Sequence, residues 1–312
     1  GVTPDVAVEQ EKLPNILFYL VNDNLIFNYA TQYCLKHPTI ASPENFEVTD
    51  ADYAEFKEMV KKADFKYDQQ SEKILKNLKE MAEFTKGFNG KVVSVVNTKG
   101  GAGKTTIATN IACRAAIDGY RVLLIDADAR QCSSLNFSGV RAGDTSLVQF
   151  PVVGMPTTAI HLEINKYNDL FDLIVIDAGA GDSGIVRSAI LAAIYGLLVI
   201  PVQPSTFDIW GAEDTLKILN EARIIGDIKT YLLLNRVLPN KKAILLKEAK
   251  VECEEIKDVY KVGIFNNWLT DYIDFKNSVG LGKCVFEYAP NKKAATEFEN
   301  LYSELIEKLN EE

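Results

Sequence analysis

Val92-Val93-Ser94-Val95-Val96-Asn97-Thr98-Lys99-Gly100-Gly101-Ala102-Gly103-Lys104-Thr105-Thr106 is the stretch that decides the fold. Its first five residues form a near-continuous β-branched run, which reads as a strand covered on both faces. Asn97 to Gly103 reads as a glycine-rich turn, and Thr105 to Asp118, closed by Gly119, as a helix. Strand, glycine turn and helix amino terminus together make an anion site, because glycines let backbone N–H groups converge on a phosphate at the positive end of the helix dipole. Lys104 supplies charge for β- and γ-phosphates, the Thr105 hydroxyl is placed to bind Mg2+, and Thr106 supports the α-phosphate.

Outward from this loop, Arg121–Ile125, Leu173–Ile176, Leu197–Val202 and Tyr231–Leu234 repeat the hydrophobic strand pattern, with helical stretches between them. Such alternation predicts an α/β fold with a mainly parallel sheet flanked by helices. Two of these strands end in acids, where the ligands of open α/β sheets collect. Asp126 and Asp128 close the second, with Asp126 expected near the metal shell; Asp177 closes the third and is expected to hold Mg2+ through a water. Ala178-Gly179-Ala180-Gly181 then provides a flexible stretch able to sense a γ-phosphate. Asn235 and Arg236 follow a further strand; the amide of Asn235 has the donor and acceptor that adenine needs, and Arg236 can stack or hydrogen-bond nearby. Pro201-Val202-Gln203-Pro204 is a candidate wall for the base.

The strict G-x-x-x-x-G-K-[ST] spacing fails, because Thr98 occupies the first glycine position and Lys99 opens the loop. Lys-Gly-Gly-x-Gly-Lys-Thr resembles the deviant Walker A form of the ParA/Soj and MinD P-loop NTPases, and the resemblance spans about residues 91–309. It implies ATP and Mg2+ as ligands, slow and partner-stimulated ATP hydrolysis, and a homodimer on ATP binding in which Lys99 reaches the partner's phosphates. In that position a lysine neutralises transition-state charge much as an arginine finger does. The resemblance also assigns Gly100, Gly101, Ala102, Gly103, Lys104, Thr105 and Thr106 to phosphate contacts, Asn235 and Arg236 to the base, and Asp128 to orienting the attacking water. The family's D-x-D-P-Q is replaced here by Asp126-Ala127-Asp128-Ala129-Arg130-Gln131, so the path of this loop differs.

Residues 1–86 have another character: apolar-rich helical stretches with no convincing strand, joined to the rest at Phe88-Asn89-Gly90. Gly1 to Val6, Phe46 to Tyr53 and Phe65 to Asp68 resemble the tail of carboxy-terminal processing serine peptidases, whose catalytic residues lie upstream of the matched part. Peptidase activity is therefore not expected. Two domains are expected: 1–86, a helical segment, fusion or composite, and 91–312, the ATPase.

The chain has 312 residues, 47% hydrophobic and 25% charged, in the range of ordinary globular proteins. A net charge of -9 argues against a surface that coats DNA or anionic membrane wholesale. Cys34, Cys113, Cys132, Cys253 and Cys284 form no C-x-x-C pair, which argues against an iron–sulfur or zinc site. These features, with no basic-then-apolar leader, predict a cytoplasmic protein.

The leading functional expectation is partition of DNA by ATP-switched, non-specific binding, helped by a centromere-binding adaptor. Arg187, Lys217, Arg223, Lys241, Lys242, Lys247 and Lys250 are the candidate phosphate contacts. A MinD-like membrane regulator would need a basic amphipathic tail, whereas Glu304 to Glu312 is acidic, so no membrane partner is expected. A third reading is a docking module that nucleotide only stabilises.

Overall fold

The computed structural model describes residues 90–311 apart from 168, 182–183 and 240–241, and leaves the side chains of 242–245 and 248 undescribed. The helical segment expected over 1–86, with its peptidase-like stretches, lies outside the described residues, as do Lys241 and the Lys242 side chain. The chain divides into two units, Gly1–Gly87 with Glu221–Asp227, and Phe88–Asn220 with Ile228–Glu312; the second holds the sheet.

Among the described residues seven strands run β1 (Lys91–Val95), β2 (Val122–Asp126), β3 (Val152–Gly154), β4 (Leu173–Asp177), β5 (Gly196–Val202), β6 (Thr230–Leu234) and β7 (Gly263–Ile264). They pair in the order β3-β2-β4-β1-β5-β6-β7, and every pairing is parallel. Parallel neighbours need crossovers, which the intervening helices supply. They include α1 (Lys104–Ile117), α2 (Ser133–Arg141), α3 (Ile160–Glu163), α4 (Gly184–Ala192), α5 (Thr206–Gly211), α6 (Glu213–Ala222), α7 (Lys242–Tyr260), α8 (Ile273–Gly280), α9 (Val285–Tyr288) and α10 (Lys293–Asn310).

The expected hydrophobic runs are the five central strands, and they are buried because helices cover both faces. Val93, Val95, Val122, Leu124, Val175 and Val199 pack on one face against Ile107 and Ile111 of α1 and Phe298, Leu301 and Leu305 of α10. The alternate residues Val92, Ser94, Leu123, Ile125, Ile174 and Ile176 are buried too, and the Ser94 hydroxyl donates to the Ala189 carbonyl of α4 at 2.7 Å.

β1 lies at the centre with β4 on one side and β5 on the other, so the chain reverses its direction of travel across the sheet at β1. Ligands of such sheets bind outside the carboxyl ends of the strands at this point. The register brings Val95, Asp177 and Asp126 level on β1, β4 and β2, and so sets the two acids beside the turn that follows β1.

Candidate active site

Gly103, at φ 94°, is the left-handed residue that turns the loop into α1. A Cβ there would run into the Asn235 side-chain amide, so a left-handed backbone and a close neighbour both require glycine. The loop is tied down around its rim. The Asn97 side chain accepts from the Lys99 N–H at 2.8 Å and donates to the Pro201 carbonyl at 2.8 Å. The Thr98 N–H donates to the Thr215 hydroxyl at 3.0 Å, Gln203 donates to the Gly101 carbonyl at 3.2 Å, and Asn235 donates to the Ala102 carbonyl at 2.7 Å. Four backbone groups of the loop are thereby held by side chains, one from the loop itself and three from other segments, which is preorganisation of the kind a phosphate cradle needs.

Lys104 is buried, and its ammonium donates to the Lys99 carbonyl at 3.0 Å. Burial lowers its pKa, against the opposing pull of Asp177 and Asp128. Lys99 points elsewhere: its ammonium pairs with Asp208 on α5 and lies 3.5 Å from the Phe207 carbonyl. Burial pushes Asp208 up, but its bonds from Lys99 and Ser205 outweigh that and hold its pKa below the usual range. The two loop lysines thus have different surroundings, one inside the cradle and one on its half-exposed flank.

Asp177 is buried at the end of β4, where burial pushes its pKa up to about 7. It accepts from the Ser134 hydroxyl at 2.7 Å and from the Thr105 hydroxyl. The Thr105 hydroxyl and Asp177 carboxylate are hard oxygen donors on neighbouring elements, a set that fits Mg2+. Asp126 is equally buried, but both its oxygens are engaged by backbone, Oδ1 by the Asp128 N–H at 3.0 Å and Oδ2 by the Leu135 N–H at 2.9 Å. These bonds shape the loop after β2. Asp128 Oδ1 accepts from the N–H groups of Arg130 and Gln131 at 2.9 and 3.1 Å. Gly179 packs against it so closely that a Cβ would lie 3.1 Å from the Asp128 carboxyl carbon. The loops after β2 and β4 are therefore in close contact at this point.

Asn235, expected to contact adenine, also braces the loop. The Ala102 carbonyl takes one of its two amide N–H donors, while Arg236 takes a left-handed backbone at φ 57°. Away from the loop, Cys113, Cys284 and Glu287 lie within 4.8 Å of one another. Arg141 donates to both Glu287 oxygens at 2.8 Å, so this cluster is already closed by a cation.

A family model for the CobQ/CobB/MinD/ParA nucleotide binding domain matches residues 93–267. The chain belongs to this family. A second model, "Probable PDZ-protease, C-terminal helical domain", matches residues 16–94 and supports the peptidase-like resemblance of the first segment. Among relatives, the Maintenance of carboxysome distribution protein A of Halothiobacillus neapolitanus is 27% identical over 217 residues, covering 69% of this chain and 95% of that protein. The chromosome-partitioning ATPase Soj of Thermus thermophilus is 28% identical over 246 residues, covering 70% and 96%. The fold matches that of the cell division ATPase MinD of Pyrococcus furiosus at a TM-score of 0.54 with 23% identity, covering 70% of this chain and 99% of that one. Like the relatives of its family, this chain carries a nucleotide-binding ATPase domain.

The structure brings together Lys99 to Thr106, Asp126, Asp128, Asp177 and Asn235 as the sequence leads one to expect. It adds residues that sequence reasoning missed. Asp208 and Ser205 had a signal, since Ser205-x-x-Asp208 is a helix start and Ser205 accepts from the Asp208 N–H at 3.2 Å. Ser134 and Thr215 had none, because their partners are 43 or more residues away along the chain; Gln203, expected as part of a wall for the base, instead holds the Gly101 carbonyl.

Proposed function

We propose that this chain is a cytoplasmic, dimerising ATPase that partitions DNA by ATP-switched, non-specific DNA binding with a centromere-binding adaptor. The observation that carries the reading is Lys99: it sits on the phosphate loop, yet its ammonium is directed away from the cradle to Asp208 on a half-exposed flank. A lysine so placed serves a nucleotide across a subunit boundary more readily than its own. The relationship to Soj, a chromosome-partitioning ATPase, and the Mg-ADP bound by a Pyrococcus horikoshii MinD support the nucleotide, metal and cargo assigned.

In this mechanism the loop amides and Lys104 hold the phosphates. The Thr105 hydroxyl and Asp177 would hold Mg2+, which would supply charge neutralisation to the phosphates. Asp128 orients water through Oδ2, since Oδ1 already accepts two amides of its own loop. On α7, Lys247 and Lys250 are exposed, Lys250 with its ammonium 5.2 Å above the Trp268 ring, and they are the best placed of the candidate DNA contacts. Lys217 is ion-paired with Asp214 at 3.1 Å.

A MinD-like grip on lipid finds little support at the final helix. The apolar face of α10, with Phe298, Leu301, Leu305 and Leu309, is buried in the core. Among the described residues no helix is long and apolar enough to cross a membrane. The test is co-sedimentation of the intact chain with DNA and with anionic liposomes, with and without ATP, alongside phosphate release. ATP-dependent, salt-sensitive DNA pelleting is expected. DNA binding indifferent to ATP sinks the switch; liposome pelleting transfers the reading to membrane regulation; absent turnover transfers it to a docking module.

A further inference from the structure

Arg130 occupies the position in the loop after β2 where the D-x-D-P-Q pattern carries an uncharged side chain, so the departure introduces a permanent cation. The backbone around it is fixed by the paired bonds to Asp128 Oδ1 and by Cys132, which turns left-handed at φ 48° into α2. From this base the exposed Arg130 side chain crosses to the loop after β4 and donates through Nη2 to the Ala180 carbonyl at 3.0 Å.

That carbonyl belongs to the segment in contact with the phosphate loop. The Gly181 N–H donates to the Thr98 carbonyl at 2.7 Å, and the Ala180 methyl lies 3.9 Å from where a Cβ on Gly100 would stand. A Cβ on Gly181 would in turn lie 3.9 Å from Arg130 Nη2. The guanidinium therefore stands where the loops after β1, β2 and β4 meet, one residue's width from the glycines that cradle phosphate. A guanidinium has five N–H donors in a fixed fork, and the Ala180 carbonyl uses one of them. Among the described residues Arg130 has no acidic ion-pair partner, so its charge is available to an anion that enters between the loops.

We propose that Arg130 is a ligand of the nucleotide's terminal phosphate, supplied by the chain that holds the nucleotide and complementary to Lys99, which acts across the dimer. This rests on the ATPase reading above. Arg130 then reads ATP against ADP, because only ATP places a phosphoryl group at the meeting point of the loops, and it offsets charge as the terminal phosphoryl leaves. A residue that only ties two loops together would lack this selectivity.

Arg130→Gln keeps a donor for the Ala180 carbonyl and removes the charge; Arg130→Lys keeps the charge and loses the fork; Arg130→Ala removes both. Each is compared with wild type for ADP affinity, affinity for a non-hydrolysable ATP analogue, and single-turnover hydrolysis, with thermal melting as the check on folding. Arg130→Gln and Arg130→Ala should bind ADP within about twofold of wild type, bind the ATP analogue about tenfold more weakly and hydrolyse at least about thirtyfold more slowly, with partial rescue in Arg130→Lys. Equal losses of ADP and ATP affinity, or wild-type behaviour in Arg130→Gln, overturn the inference and leave a loop tether. If the wild type itself neither binds nor hydrolyses ATP, the ATPase reading falls, and the inference with it.

Discussion

Lowering the pH from 8 to 6 should weaken Mg2+ binding to the nucleotide-loaded protein by about tenfold, and Asp177 is the reason. Burial holds its pKa at about 7 against an ordinary 3.8. Mg2+ needs the carboxylate, which about nine molecules in ten carry at pH 8 and about one in ten at pH 6. The same shift acts on stability with the opposite sense from an ion-paired acid. The folded pKa lies above the unfolded one, so the metal-free fold is favoured below pH 4 and loses on the order of 4 kcal/mol as pH rises through 7. Mg2+ titrations at four pH values, by calorimetry, would be run on wild type and Asp177→Asn. Protonation of the nucleotide is common to both, so the difference isolates Asp177. Metal-free melting gives the second readout, with the wild type losing ground to Asp177→Asn between pH 5 and 7.5. Parallel pH slopes for the two proteins, in binding and in melting, would refute the placement of a buried carboxylate of raised pKa at the metal position.

Asp208→Asn weakens the partly exposed hold on Lys99, an interaction of about 0.5–1 kcal/mol, so the ATP concentration at half-maximal dimerisation should fall about two- to fivefold by analytical ultracentrifugation. Gly103→Ala forces a Cβ onto a left-handed residue against Asn235; nucleotide affinity measured by fluorescence should fall at least about tenfold, with a lower melting temperature. Arg141 is buried and donates to Glu287, the Val148 carbonyl and the Gly282 carbonyl. Arg141→Met leaves the Glu287 charge half-buried and unpaired, and urea unfolding should register a loss of about 3–5 kcal/mol.

Much of the fold could be read in the sequence because the central strands are buried on both faces. Val92 to Val96 and Leu173 to Ile176 are hydrophobic without interruption, and the observed strands begin and end within one or two residues of those expected. β3 and β7 escaped notice. They are edge strands of three and two residues, held by pairing to Leu124–Asp126 and Tyr231–Leu232 and not by any hydrophobic run of their own. The phosphate loop was legible for a local reason: glycine spacing, Lys104 and Thr105 lie within a few residues of one another. What could not be read was the set of long-range contacts that decide how each residue is used. Asp126 and Asp177 look alike as acids at strand ends, and only the amides of Asp128 and Leu135 show that Asp126 shapes a loop while Asp177 faces Thr105. The direction of Lys99 depends on Asp208, 109 residues along the chain, and was invisible from the motif alone.

The central claim is that Lys99 to Thr106 binds nucleotide phosphate, with Lys104 as its buried cation. Titration of the intact chain with a fluorescent ATP analogue and Mg2+, beside Lys104→Ala, tests it most directly. Saturable, Mg2+-dependent binding that unlabelled ATP competes away is predicted for wild type, with affinity at least about a hundredfold weaker in the folded variant, since a charge-assisted contact to phosphate is lost in a desolvated site. Equal affinity in the two proteins would contradict the account.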